Sequence, residues 1–541
     1  MPRHLFVILT IFVLIIVHAG AGQARGEQSN AEDQVMAQQR EAAKNRKRRI
    51  IYNNDGNEIL IRRVESVEDF LRMRIEAAVG TQVDSIFYCT GTTTLYGHDT
   101  LIADRFDSPV DKVKDWADNM RLLRKAGTDQ LEATIRRGHE AGLEVFWSHR
   151  INDSHDAVDP VELLSQWKAD HPECLMGKPE DAKKYPQSSP KYWWTTLDFE
   201  KQEVRDYLLR ITEEVCRLYD VDGIEIDYFR YPMFFRPNLD FEPATQKQLD
   251  ILTEFQRSIM QMSVREGAKR GRPILVAARV PASVTACRNV GIDVERWLRE
   301  GLLDIMPLGN GGAWPNVPVE EITTLAHTYD VPVYPCLKHS GFGHSDIETW
   351  RAAAANARQA GADGIYFFNH FPSEPSPQFK ELGDPVNLAR LDKRFTATDV
   401  SPYEEILLGS APRHIGLAEV LPPSMGLPAR IFAGDEPYIV TLQIGDDLAE
   451  AARQGILAGA VLKIRLSPPQ EVLAMKVKLN GKPVTPAEKN VEEGWLTLHA
   501  EPGWYREGEN EVSFLRGASN VDARAPFLVH EVQVDVTYRD K

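Results

Sequence analysis

Cysteine is scarce in this chain. Cys89, Cys174, Cys216, Cys287 and Cys336 are the only five in 541 residues, and no two stand at CxxC spacing. That excludes a cysteine-built zinc framework and a thioredoxin-like redox pair. An odd number leaves at least one thiol unpaired, and Cys89 and Cys336 fall in apolar runs, so the expectation is buried small hydrophobes rather than disulfides. Excess positive charge is missing too: 63 basic against 79 acidic residues give a net charge of -16. Nucleic acid is therefore not an expected partner. Neither GxGxxG nor GxxxxGK occurs, which removes the phosphate-cradling loops of nucleotide-binding folds. HExxH is also absent, and the pairs His149 with His155 and His339 with His344 lack that helical spacing, so no metal and no organic cofactor are expected.

Long apolar runs are missing after the N-terminus. Residues 5–17, "LFVILTIFVLIIV", follow Arg3 and His4 and lead into the small residues of "HAGAGQA". This is the layout of a secretory signal peptide over residues 1–24, shorter than the roughly 20 apolar residues that span a bilayer. Cleavage near Ala21 or Ala24 predicts a secreted or periplasmic protein with no membrane span. Residues 25–50 are polar and end in the basic run "NRKRR", which reads as a flexible linker. The remaining composition is that of a folded chain.

Between residues 51 and 395, β-rich runs alternate with helical patterns. They are "VDSIFYC" at 83, "LEVFWSH" at 143, "WWTTLDF" at 193, "VDGIEID" at 221, "PILVAARV" at 273, "LLDIMPLG" at 302, "VPVYPCLK" at 331 and "GADGIYFFNH" at 361. Eight such runs with helices between them predict an α/β fold, a (β/α)8 barrel. From residue 396 to 541 the helical period fades and strands such as "YIVTLQI", "AVLKIRL" and "VHEVQVDVTYR" take over. An Asn-Gly pair in "LNGKPV" marks a hairpin, and the region is expected to be an all-β sandwich.

In a barrel of this kind the reactive groups lie at the C-terminal ends of the strands. The fourth run, "VDGIEIDYFRYP", is the richest such point. Strand alternation sets Gly223, Glu225 and Asp227 on one face and Ile224, Ile226 and Tyr228 on the other, which turns both carboxylates into the barrel. At ~3.3 Å per residue the two positions are roughly 6.6 Å apart, within the range of paired acid and base groups in sugar hydrolysis. Proximity is expected to raise one of the two pKa values. The alternative for Glu225 is burial in an ion pair with an arginine such as Arg279.

After the second run comes "SHRINDSHD", which gathers His149, Arg150, Asn152, Asp153, His155 and Asp156. Such groups suit hydroxyl or carboxylate recognition, and Asp153 is a second candidate proton donor. Other strand ends offer Asp198 on the third run, Arg279 on the fifth, Asn310 on the sixth, Lys338 and His339 on the seventh, and Asn369 and His370 on the eighth. Sugars stack their C–H faces on rings, and Trp193, Trp194, Tyr228, Phe229, Tyr231 and Trp314 lie near these ends. Trp314, in the glycine-rich "GNGGAWPN", is the best subsite candidate.

These motifs carry a resemblance. "DGIEIDYFRYP" is similar to the fourth-strand motif of several glycoside hydrolase barrels. The stretch from "DFEKQEVRDYLL" into "YDVDGIEIDYFRYP" resembles the glycoside-hydrolase-like family 10 group of bacterial secreted barrels. Family 18 chitinases carry DGxDxDxE; Asp222, Glu225 and Asp227 match, but Phe229 stands where the final glutamate belongs. The α-amylase-type DGxRxD places its nucleophile at the position of Asp227, while Glu225 replaces its arginine and "PILVAARVP" lacks the fifth-strand glutamate. The resemblance implies a secreted glycoside hydrolase acting on an oligo- or polysaccharide. Asp227 would be nucleophile or base and Glu225 or Asp153 the proton donor, with Arg150, Asn152, His155, Arg230 and Arg279 orienting the sugar. The missing glutamates keep a rival open: a non-catalytic carbohydrate-binding barrel.

Overall fold

The computed structural model describes residues 33–107, 114–158, 163–187, 189–309, 319–338, 346–398, 427, 429–431, 436–467, 475–488, 494–516 and 527–539. The leader at 1–24 lies outside them. Eight parallel strands close a barrel: β1 (Ile50–Asn54), β2 (Val83–Tyr88), β3 (Glu144–Arg150), β4 (Gly223–Asp227), β5 (Leu275–Pro281), β6 (Met306–Gly309), β7 (Val333–Lys338) and β8 (Ile365–Phe368). Each pairs with its sequence neighbour, and β8 returns to β1.

Two expectations are corrected here. The run at 193–199 is not a barrel strand; its only ladder contact is a single antiparallel bridge from Leu197 to Leu175. The missing eighth strand is instead Ile50–Asn54, so "GIEID" keeps fourth place in the barrel. The stretch read as a flexible linker is also ordered where described. Residues 33–44 form a helix, Arg40 pairs with Asp304, and Arg48, fully buried, makes two bonds to Glu144 at the floor of the barrel.

The barrel wall has two chemically different faces. Outward, Ile224, Ile226, Val276 and Ala278 join the large core under the helices. The helix Gln202–Leu218 meets that core with Val204, Leu208, Ile211 and Val215, buried at the spacing of one helical face. Inward, Ile51, Phe87, Phe146, Leu275, Tyr334, Cys336, Tyr366 and Phe368 pack together inside the barrel. Phe146 stacks on Phe87 with centroids 4.4 Å apart. It fits only because its neighbour on β4 is Gly223, where a β-carbon would stand 2.1 Å from the Phe146 ring.

The C-terminal region is antiparallel, in the order β9 (Lys393–Thr398), β17 (Phe527–Tyr538), β12 (Leu457–Ser467), β15 (Trp495–His499), β14 (Lys482–Glu488), β13 (Met475–Leu479), β16 (Gly508–Arg516) and β11 (Tyr438–Ile444); β10 (Ala429–Ile431) adds to β17. Its two faces are joined through β14, which pairs with β13 at one end and β15 at the other. The Asn480–Gly481 turn, with φ of 49° and 79°, makes the expected hairpin between β13 and β14. This sheet is seated on the barrel: Gly445 lies against the backbone of Ala355 in the helix Ile347–Gln359, and Asn356 Nδ2 donates to Gln443 O at 3.3 Å. Among the described residues no helix is long and apolar enough to cross a membrane.

Candidate active site at the barrel mouth

Register stacks the inward residues of β3, β4 and β5 in rows. Phe146, Gly223 and Leu275 form the first, Ser148, Glu225 and Ala277 the second, and Arg150, Asp227 and Arg279 the third. The chemistry changes from apolar to polar to ionic toward the C-terminal ends of the strands.

In the second row Glu225 is fully buried. It accepts from Ser148 Oγ, from Tyr366 OH at 2.8 and 3.0 Å, and from Asn53 Nδ2 at 3.4 Å. Burial, followed by the nearby Asp227 charge, pushes its carboxyl up to about 7. The alternative pairing of Glu225 with Arg279 does not form; Arg279 turns to Asp227 instead. Asn53 Nδ2 also donates to Phe87 O and Ser148 Oγ, both at 3.3 Å, while its Oδ1 is buried without a hydrogen-bond partner.

In the third row Asp227 is held bidentately by Arg279, Nε to Oδ1 at 2.9 Å and Nη2 to Oδ2 at 2.7 Å. Oδ1 also accepts the backbone N–H groups of Phe229 and Arg230, both at 3.0 Å. The carboxylate is therefore asymmetric: Oδ1 has three donors and Oδ2 one, so the open lone pair is on Oδ2. Phe368, at the end of β8, lies beneath the guanidinium groups of Arg279, Arg230 and Arg150, at 4.2, 5.8 and 6.0 Å from its ring centre.

The loop after β3 brings two predicted residues to the same place. Asp153 is buried, and its Oδ1 accepts from His155 Nδ1 at 2.6 Å and from the His155 backbone N–H at 3.0 Å. Burial raises its carboxyl, but the His155 contact, Arg230 and Arg150 outweigh that and hold it well below the usual carboxylate range. Arg230 Nη2 donates to His155 Nε2 at 2.9 Å. Arginine only donates, so Nε2 is an acceptor and the imidazole proton sits on Nδ1. Arg150 pairs with Asp55, just past β1, and burial of Asp55 is outweighed by Arg150, then Arg230 and Arg74, which hold its carboxyl below its ordinary value. Tyr231, edge-on to the His155 ring at 5.4 Å, has φ of 56°, an uncommon conformation for a side chain of that size.

Asp227, Glu225, Asp153, Arg150, His155, Arg230 and Arg279 thus share the inside and mouth of the barrel. Four other predicted residues, His149, Asn152, Asp198 and His370, do not join them. His149 points outward from β3, with Nε2 2.9 Å from Tyr96 OH and Nδ1 3.2 Å from Thr212 Oγ1; burial pushes its pKa down to about 3. Asn152 bonds Met233 O and accepts the Leu197 N–H at 2.9 Å, tying loops together. Asp198 lies off the barrel and pairs with Arg236 at 3.1 Å. His370 packs between Trp350, Phe367 and Phe379, with Nε2 3.2 Å from Ser376 Oγ. Asn369 follows β8 with φ of 53°. Lys338 closes β7 opposite Phe368. Asn310, Trp314 and His339 lie outside the described residues.

Asn53, Asp55, Ser148, Tyr366 and Phe368 were missed by the sequence reading. Asn53 and Asp55 were hidden with the uncounted first strand; in "IIYNND" the polar residues follow the apolar run as they do in "GIEID". Among the described residues the one grouping of metal-ligand type is Glu173, Cys174 and Glu203, none of which belongs to the mouth.

Residues 105–308 match the family model described as glycosyl hydrolase-like 10. No curated protein matches the chain. Among solved structures, the chain is similar to the PgaB (BpsB) glycoside hydrolase domain from Bordetella bronchiseptica, with 12% identity and a TM-score of 0.39 over 67% of this chain and 98% of that one. It is similar to alpha-L-fucosidase isoenzyme 2 from Paenibacillus thiaminolyticus at 14% identity and a TM-score of 0.39, over 69% and 50% of the two chains. A family 18 N-acetylglucosaminidase from Paenibacillus barengoltzii gives 12% identity and a TM-score of 0.33 over 59% and 94%. The family match runs across β3, β4, β5 and β6 of the closed barrel, so this stretch of the chain is similar to the glycosyl hydrolase-like 10 family.

Proposed function

We propose that the protein is a secreted glycoside hydrolase that cleaves an oligo- or polysaccharide at the barrel mouth, with Asp227 as the carboxylate facing the anomeric carbon. The supporting observation is the asymmetric grip on Asp227. Three donors anchor Oδ1, while Oδ2 keeps an open lone pair at the C-terminal end of β4. An anchored carboxylate loses little orientational freedom when it reacts, and it can act as nucleophile or as base toward a water. Of the two proton-donor candidates, Glu225 is the one whose carboxyl is raised, to about 7, but it lies one row below Asp227. Asp153 lies in the mouth loop, and its carboxyl is held low, so its use as donor requires the approaching glycosidic oxygen to displace Arg230 or His155.

A second reading has its own support. All three mouth carboxylates face arginines, Asp55 on Arg150, Asp227 on Arg279 and Asp153 near Arg150 and Arg230, which suits a barrel that binds carbohydrate without cleaving it. Reducing-end release from a polysaccharide panel separates the two, with wild type compared with folded Asp227→Asn. Release by wild type that vanishes in the variant supports the hydrolase. Binding without release by either supports the non-catalytic barrel, and equal release by both removes Asp227 from the chemistry.

A further inference from the structure

Three charged atoms at the mouth are buried without a hydrogen-bond partner: Asp153 Oδ2, Arg150 Nε and Arg230 Nε. They belong to side chains that are themselves 1%, 6% and 7% exposed as residues. Asp153 Oδ2 stands 3.6 Å from Arg150 Nη1 and 3.6 Å from Arg230 Nε, too far for direct hydrogen bonds. Buried groups left in this state are costly, so a polar group that parts these side chains meets three unsatisfied atoms.

The chemistry of that group is constrained. Asp153 Oδ2 needs a donor, whereas each Nε–H needs an acceptor. A carboxylate or sulfate on a sugar accepts but does not donate, and an ammonium donates but does not accept. A hydroxyl does both. The surrounding charge points the same way, because Arg150, Arg230 and Arg279 stand beside Asp55, Asp153 and Asp227. These three arginines and three aspartates cancel, and give no surplus of either sign to attract a charged sugar. The rim is open at Asp55 and His155, whose side chains are 15% and 38% exposed.

We propose that the mouth takes an uncharged sugar unit through its hydroxyls, Asp153 Oδ2 accepting a hydroxyl proton while Arg150 Nε and Arg230 Nε donate to hydroxyl oxygens. This rests on the carbohydrate reading of the same mouth. It makes Asp153 a substrate-binding residue rather than the proton donor.

The test is calorimetric titration of the full chain with neutral hexaoses of glucose, mannose, galactose and xylose, and with hexagalacturonate and a glucosamine hexamer, each at low and high salt. The expected result is binding of at least one neutral hexaose, insensitive to salt, and weakened about 10- to 100-fold in Asp153→Asn through loss of a charge-assisted bond. Arg230→Gln is a second variant should Asp153→Asn not fold, and is expected to weaken binding similarly. Tighter binding of the uronate or the glucosamine hexamer, lost at high salt, overturns the proposal. So does neutral binding that both folded variants leave unchanged, or no neutral binding at all, which leaves water as the group between these atoms. The outcome is separable from catalysis: neutral binding without reducing-end release ends the hydrolase reading alone, and release unaffected by either variant ends this inference alone.

Discussion

Glu225 is a buried acid in a tier without its own cation, and that predicts an unusual pH dependence of stability. Its carboxyl is raised from the ordinary 4.5 to about 7, so between those values the folded chain holds a proton that the unfolded chain releases. The stabilisation this gives is complete below about pH 4.5 and is lost as pH rises through about 7. A shift of about 2.5 units at ~1.36 kcal/mol each corresponds to about 3 kcal/mol between pH 4.5 and 8. Glu225→Gln cannot ionise and keeps an acceptor for Ser148 and Tyr366, so it avoids that loss. For a barrel of roughly 350 residues, unfolding entropy near 2.1 cal/mol/K per residue converts 3 kcal/mol to about 4 °C. Thermal unfolding of wild type and Glu225→Gln from pH 4.5 to 8 is therefore expected to show a gap in Tm that widens in favour of the variant by about 4 °C. A constant gap, or one moving against the variant as pH rises, refutes the placement of Glu225 as a protonated interior acid.

Asp227→Ala strands Arg279 in the barrel and is expected to destabilise by about 3–5 kcal/mol, whereas Asp227→Asn retains much of the fold and loses activity by at least about 10²-fold; chemical denaturation and reducing-end assays separate the two effects. Gly223→Ala drives a methyl into the Phe146 ring, 2.1 Å from the nearest atom, and is expected to cost about 1–3 kcal/mol, with partial rescue by Phe146→Leu in a double-mutant cycle. His149→Phe is expected to leave the pH profile between 5 and 8 unchanged, because the His149 pKa is already pushed down to about 3; a shifted limb would place this histidine in the chemistry.

Much of the barrel was legible because a two-faced strand writes its register into the sequence. In "GIEID" the isoleucines that meet the helices alternate with the glycine and acids that face inward, and this is the arrangement found. The run "WWTTLDF" misled because β-branched and aromatic residues also suit a buried loop. There Thr195 bonds Asp156, Thr196 lies 3.0 Å from Ser154, and Asn152 bonds the Leu197 N–H, so the segment is satisfied by side chains instead of a ladder. The first strand was invisible for the opposite reason: its apolar core is only "IIY", and its polar tail is part of the site. Partner choice was the least legible feature. Glu225 and Asp227, two residues apart, compete for one arginine, and only the register of β5, which sets Arg279 beside Asp227 and Ala277 beside Glu225, decides between them.

That register explains how so many ionisable groups coexist inside a narrow barrel. Isolated charge in such a space is expensive, and the strands separate it by row. At the floor, Arg48 neutralises Glu144. In the middle, Glu225 meets neutral hydroxyl and amide donors and burial raises its carboxyl to about 7, so below that pH protonation removes the charge instead of pairing it. At the mouth, every aspartate faces an arginine. The two upper rows are coupled, because a charge on Glu225 would draw Arg279 away from Asp227 and loosen the bidentate grip that orients Oδ2. Protonated Glu225 thus acts as a spacer that keeps Arg279 committed to Asp227. It follows that Glu225→Asp, which shortens the reach to Tyr366 but still ionises, should perturb the pH profile of any activity more than Glu225→Gln does.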